Sequence, residues 1–232
     1  MENKNFRAHS YPQVRVIFSI FEYITDTIFP RRCGGCSTRG TLLCGKCIAH
    51  IPRTPSSTHP FITAIFDYRN PLIRRAIWRF KYKNVRGFAK IFGEKLYEEI
   101  VGDLGDDLYF SKSETFLLVP IPLHKKRLRR RGYNQSELIA RVIIKNDVEN
   151  IFERAPKALV RVRETKPQAK SEKRTARFEN LRDAFRVDPE RVRGKNIILI
   201  DDVATTGATF AEARKVLLKA GARNVRAYAV AH

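Results

Sequence analysis

The stretch "KNIILIDDVATTGATFAEARKVLLKAGA", residues 195–222, constrains the fold more than any other part of the chain. Its apolar run, Ile197 to Ile200, fits a strand buried on both faces. The run ends on two adjacent acids, Asp201 and Asp202, and a loop of small residues follows. Helical spacing then begins: Ala213, Val216, Leu217 and Ala220 share one face, and Gly221 supplies a C-terminal stop. Strand, tight loop and helix in such short order make a βα unit. Other segments read the same way. Phe61–Tyr68, Thr115–Leu123, Ala158–Arg163 and Asn224–Val230 fit strands. "NPLIRRAIWRFKYK", "FAKIFGEKLYEEI" and "SELIARVIIKN" fit helices, the first with Asn70 as N-cap and Pro71 in the first turn. The alternation predicts an α/β fold with a mostly parallel sheet flanked by helices.

Two neighbouring carboxylates repel each other, so their chemistry needs a reason. In open α/β sheets, ligands sit at the carboxyl ends of the strands, which is where Asp201 and Asp202 fall. Behind them Ala204, Thr205, Thr206, Gly207, Ala208 and Thr209 lead into a helix N-terminus, where backbone N–H groups and the helix dipole favour an anion. Gly207 permits close backbone approach, and three threonine hydroxyls add donors. The stretch therefore offers acceptors for a diol beside donors for a phosphate, as a ribose 5-phosphate requires. The bland alternative is an ordinary βα turn with capping threonines.

All four cysteines lie in "CGGCSTRGTLLCGKC": Cys33, Cys36, Cys44 and Cys47. Two C-x2-C turns can present four thiolates tetrahedrally, the set a closed structural zinc site takes. Two disulfides are the alternative, but a CxxC disulfide closes a strained loop. Four thiolates leave no open coordination position, so the module is structural, and about fifteen residues without a core would take their folding energy from the metal. The expected organisation is an amphipathic N-terminal helix over 1–30, the zinc-ribbon module over 31–52, a Pro/Ser/Thr-rich linker over 53–60 and the α/β domain over 61–232. The N-terminal helix either packs internally or meets a membrane or partner.

The chain carries 45 Lys and Arg against 24 Asp and Glu, a formal net charge of +21. Such a chain attracts polyanions: nucleic acid, phosphorylated metabolites or acidic lipid. A solvated basic surface is the plain alternative. The charge peaks in "HKKRLRRR", a basic loop with Lys125, Lys126, Arg127, Arg129, Arg130 and Arg131 and no aromatic among them, a pattern that favours phosphate contact over base stacking. No run of about 18 uncharged apolar residues predicts a transmembrane helix. The absence of an export signal and the reduced thiols predict a cytoplasmic protein.

"ILIDDVATTGAT" closely resembles the phosphoribosyl-pyrophosphate (PRPP) motif of type I phosphoribosyltransferases. Together with "VPIPLHKKRLRRRGYNQSELIA", the basic "KPQAKSEKRTARFENLRDAF" and the four cysteines, it looks like the ComF family (competence-protein ComF/GntX-like), over nearly the whole chain from about Arg32 to Ala231. The resemblance implies a type I phosphoribosyltransferase-like sheet. It implies that Asp201 and Asp202 bind the ribose hydroxyls and that Ala204, Thr205, Thr206, Gly207, Ala208 and Thr209 hold the 5-phosphate. Pro120, Ile121, Pro122 and Leu123 would stand at the pyrophosphate loop, and residues 164–178 would form a hood that closes over PRPP with Mg²⁺. Candidate cations for the leaving pyrophosphate are Arg129, Arg130, Arg131, Lys166, Lys170, Lys173 and Arg174. No general base and no acceptor pocket can be named, so phosphoribosyl transfer to an unknown acceptor is open. The resemblance also implies a role in natural competence and DNA uptake. The alternative is therefore a non-catalytic single-stranded DNA-binding protein that uses its basic loops, its PRPP site a sensor or relic, with competence-machinery proteins as partners. A scaffold docking through the zinc module is a third reading.

Overall fold

A computed structural model describes residues 31–54, 59–105, 115–164 and 183–232. The N-terminal helix expected over 1–30 lies outside these residues. The chain divides into two compact units, Met1–Ala49 and His50–His232. In the first, the described residues hold the cysteines, an isolated antiparallel bridge from Arg32 to Arg39 and one helical turn, α1 (Gly45–Ala49).

The second unit is the α/β body. Its elements run β1 (Ile62–Phe66), α2 (Pro71–Tyr82), α3 (Phe88–Asp103), β2 (Phe116–Pro120), α4 (Lys125–Arg131), α5 (Gln135–Asn146), β3 (Phe152–Arg154), β4 (Leu159–Arg161), β5 (Phe185–Val187), α6 (Pro189–Val192), β6 (Asn196–Val203), α7 (Ala208–Lys219) and β7 (Asn224–Ala231). Five strands form one parallel sheet in the order β1-β7-β6-β2-β3. All of β2 is buried, and Ile197, Ile198, Leu199 and Ile200 of β6 are at most 1% exposed, as a strand covered on both faces requires. The helices bury single stripes. In α2 the stripe is Ile73, Ala76, Ile77 and Phe80, below an N-terminus capped by the Asn70 carboxamide, which accepts from the Leu72 and Ile73 N–H groups. Helices α3 and α5 approach closely at Gly93, where a Cβ would stand 2.6 Å from Val142 Cβ.

Three local readings change. Leu159–Arg161 does not join the parallel sheet; it pairs antiparallel with Phe185–Val187 in a separate two-stranded ribbon. The alternating burial of β4, with Val160 45% exposed, is that of a strand covered on one face only. The edge of the main sheet is instead β3, a three-residue strand too short to show a period. The Asp147 carboxylate starts it by accepting from the Ile151 and Phe152 N–H groups. Finally, the basic run expected as a loop is the helix α4. His124 Nδ1 accepts from the Lys126 N–H at its start, and Gly132 takes a left-handed φ of 78° at its end. Lys, Arg and Leu are good helix formers, and the caps fix both ends.

Candidate functional site

The sheet order sets the location. From β2 the chain moves outward to β3, and after the ribbon it returns to the other side of β2 as β6. The order reverses between β2 and β6, and the crevice beyond their carboxyl ends is where open α/β sheets bind ligands. Pro120 pairs with Ile200 at the ends of these strands, and the Ile121 N–H donates to the Ile200 carbonyl at 2.9 Å. The turn Pro120–Leu123 and the carboxylates Asp201 and Asp202 are thereby brought to one crevice.

The first turn of α5 secures this crevice. Asn134 caps the helix by accepting from the Ser136 N–H, and its amide donates to the Ile121 carbonyl at 3.0 Å. Ser136, itself buried, donates its hydroxyl to Asp201 Oδ1 at 2.8 Å, and the Asp202 N–H donates to the same oxygen at 2.8 Å. The Asp201 carboxyl is raised to about 7: burial is the main cause and the Asp202 charge the next, against the lowering effects of Lys81 and Ser136. The residue as a whole keeps some exposure; it is its carboxyl group that is enclosed.

Sequence reasoning missed Lys81. At the end of α2, its ammonium lies 2.7 Å from Asp202 Oδ1, with both side chains largely buried. Burial pulls the ammonium down, but Asp202 and Asp201 outweigh it and raise it above the ordinary lysine value. Lys81 follows the stripe Ile73, Ile77, Phe80 and lies one residue beyond it, so no local pattern marks it. Arg161 on β4 is a second missed cation, 8% exposed and stacked over Phe185 at 5.4 Å; burial first, then the Arg127 charge, pull its guanidinium down, against the opposing Asp201 charge.

On the far side of the acids, Ala204 is buried, its N–H donating to the Ala231 carbonyl at 2.9 Å. Thr205 is exposed, Thr206 and Thr209 half-buried, and Gly207 enters α7 with a φ of 72°. Ala208 is buried in the first turn. His59 packs onto this loop: a Cβ on Gly207 would stand 2.5 Å from its ring, and its Nε2 lies 3.3 Å from the Thr206 carbonyl oxygen. Gly207→Ala should therefore destabilise the protein by about 1–3 kcal/mol in denaturant unfolding, through left-handed strain and displacement of His59.

Around the crevice, Arg131 donates to Gln135 Oε1 at 2.8 Å and to the Tyr82 hydroxyl at 3.4 Å. Lys126 pairs with Glu164 at 2.9 Å. Lys125, Arg129 and Arg130 are exposed on α4, and Arg127 is half-buried. Lys166, Lys170, Lys173 and Arg174 lie outside the described residues.

In the first unit, the sulfurs of Cys33, Cys36, Cys44 and Cys47 all lie within 4.8 Å of one another, and the four can hold a metal ion. Cys36 and Cys44 Sγ are 3.6 Å apart, near the roughly 3.8 Å separation of tetrahedral thiolates bound at about 2.3 Å. The Gly35 and Cys44 N–H groups point at Cys33 Sγ, and the Cys47 N–H points at Cys44 Sγ. Burial pushes the Cys33 thiol up, but backbone N–H donors together outweigh it and hold Cys33 at about 6. Such donors stabilise thiolates, the form that ligates metal.

No family model matches the chain. Among curated proteins, DNA utilization protein YhgH of Escherichia coli O157:H7 is 29% identical over 214 residues, 88% of this chain and 84% of that protein. Competence protein ComFC of Bacillus subtilis (strain 168) is 32% identical over 158 residues, 68% of this chain and 58% of that protein. Competence protein F of Haemophilus influenzae is 29% identical over 191 residues, 81% of this chain and 77% of that protein. A solved structure titled as that of the allosteric regulatory enzyme of purine biosynthesis aligns over 62% of this chain and 26% of its own, at 19% identity and a TM-score of 0.38. With its four-cysteine cluster and this similarity over most of its length, the chain is a homologue of proteins named DNA utilization protein YhgH, Competence protein ComFC and Competence protein F.

Proposed function

We propose that the crevice at the ends of β2 and β6 binds PRPP with Mg²⁺. The observation that carries this reading is the arrangement at the switch point. Two enclosed carboxylates stand with the N-terminus of α7 on one side and the Pro120–Leu123 turn on the other. Asp201 and Asp202 accept from the ribose 2′ and 3′ hydroxyls. The loop Ala204–Thr209 and the first N–H groups of α7 hold the 5-phosphate. Pro120, Ile121, Pro122 and Leu123 face the pyrophosphate, with the cations of α4 as neighbours. Mg²⁺, when bound with the ligand, offsets the pyrophosphate charge. In phosphoribosyl transfer to an acceptor, positive charge grows on the ribose and negative charge on the leaving pyrophosphate, and fixed charges of both signs are what the crevice supplies.

Lys81 fixes the Asp202 carboxylate through Oδ1 beside a second carboxyl. Lys81→Met should weaken PRPP binding roughly tenfold in calorimetry, because Asp202 loses the charged hydrogen-bond partner that orients its carboxylate. Unchanged affinity would remove Lys81 from the site. The four cysteines hold structural Zn²⁺, which suits a reducing cytoplasm. A second reading, binding of single-stranded DNA through the basic residues of α4, is favoured by the exposed Lys125, Arg129 and Arg130 and by relatives named for competence and DNA utilization.

A further inference from the structure

The run from Lys125 to Arg131 contains no aromatic residue, but the fold supplies two from another helix. On α2, opposite the buried stripe, Arg74, Arg75, Trp78 and Tyr82 recur at three- and four-residue steps and are all exposed. Trp78 is 48% and Tyr82 56% exposed, large values for rings of this size. The two rings are neighbours, 6.2 Å between centroids. Each has a cation over it: Lys83 at 5.3 Å from the Trp78 ring and Arg131 at 5.1 Å from the Tyr82 ring. The Arg131 contact, with its 3.4 Å approach to the Tyr82 hydroxyl, joins α4 to α2 at the rings. Neither helix carries an acidic residue.

We propose that this face of α2 and α4 is a stacking platform for single-stranded nucleic acid, with bases on Trp78 and Tyr82 and phosphates on the surrounding lysines and arginines. The proposal rests on the second reading above and gives it a place and a mode. Aromatic rings beside a positive surface are what a strand with flat bases and a charged backbone engages, largely without regard to sequence. A duplex hides its base faces, so it meets only the charge. The platform also adjoins the crevice, because Tyr82 directly follows Lys81, the partner of Asp202.

Trp78 is the chain's single tryptophan, so its emission reports this face alone. The full, metal-loaded chain would be titrated with an oligothymidylate of about twenty nucleotides, long enough for the usual site sizes. Quenching of Trp78 emission is expected, with weaker quenching by a duplex of equal length. Trp78→Ala with Tyr82→Ala, followed by anisotropy of a labelled oligonucleotide, should weaken binding roughly tenfold or more at unchanged salt slope. Arg129→Gln with Arg130→Gln should instead lower that slope by about 1.4. Oligonucleotide binding that leaves Trp78 emission and the double aromatic variant's affinity unchanged would overturn the platform but not single-strand binding. No binding at all would overturn both. A response of Trp78 to acidic phospholipid vesicles and not to the oligonucleotide would make the face a membrane contact and likewise overturn the proposal.

Discussion

With the proposed zinc on the four cysteines, its removal by a chelator is expected to unfold residues 31–49 while the α/β body stays folded. The module has few apolar residues of its own: Cys33, Leu42 and Leu43 are its buried ones among the described residues. Metal binding to four thiolates supplies about 10–16 kcal/mol in small zinc modules, far more than such a cluster of side chains. The body has its own core, from Ile62 and Leu117 through Leu199 to Val225, and its own network around Asp201. Hydrogen exchange before and after chelation checks this. Protection should be lost across the cysteines and kept in β2, β6 and β7, and PRPP titration should be little changed. Protection that survives metal loss in residues 31–49 would refute the structural assignment of the metal.

Asp201→Asn is expected to separate function from stability. An asparagine keeps an Oδ1 acceptor for both the Ser136 hydroxyl and the Asp202 N–H, so the local hydrogen bonds survive. What disappears is a carboxyl raised to about 7. Because the folded value lies above the unfolded one near 3.8, Asp201 favours folding while protonated. That contribution is full below the unfolded value and is lost as pH rises through the folded value. The wild type should therefore lose stability between about pH 4 and pH 7, by at most about 4 kcal/mol from this group, and the variant should lack that part of the slope. Denaturant unfolding across this range measures it. At neutral pH the variant should be the more stable protein and the weaker ligand binder, the trade expected where a site keeps charges for a ligand and not for the fold. Identical pH profiles would mean that the carboxyl is not enclosed as described.

Substitution at Asp202 is expected to destabilise the fold, because Lys81 pairs with it. Its removal would strand an ammonium whose surroundings are mostly protein, a loss of the kind that costs several kcal/mol when one partner of a buried pair is deleted.

The parts of this architecture that were legible in the sequence have strong local patterns. The central strand was visible because Ile197–Ile200 is apolar without interruption, and α2 because Asn70-Pro71 starts it and Leu72, Ile73, Ala76, Ile77 and Phe80 follow at helical spacing, of which the structure buries all but Leu72. The four cysteines were visible from spacing alone. The parts that were not legible depend on partners distant in sequence. Leu159–Arg161 has the composition of a sheet strand, and only its pairing with Phe185–Val187 shows that it belongs elsewhere. Phe152–Arg154 is held in the sheet by Asp147 and by β2, which no three-residue pattern can announce. Lys81 and Ser136 meet the acids across separations of more than sixty residues, so their roles come from the fold. The aromatic partners of α4 escaped for the same reason: Trp78 and Tyr82 are on α2.

Calorimetric titration of PRPP with Mg²⁺ into the zinc-loaded protein, and into Asp201→Asn/Asp202→Asn, tests the central claim most directly. Saturable binding by the wild type that the double substitution removes, with both proteins folded, is the predicted result. No binding by the folded wild type, or equal binding by the variant, would contradict the PRPP reading of the crevice between β2 and β6.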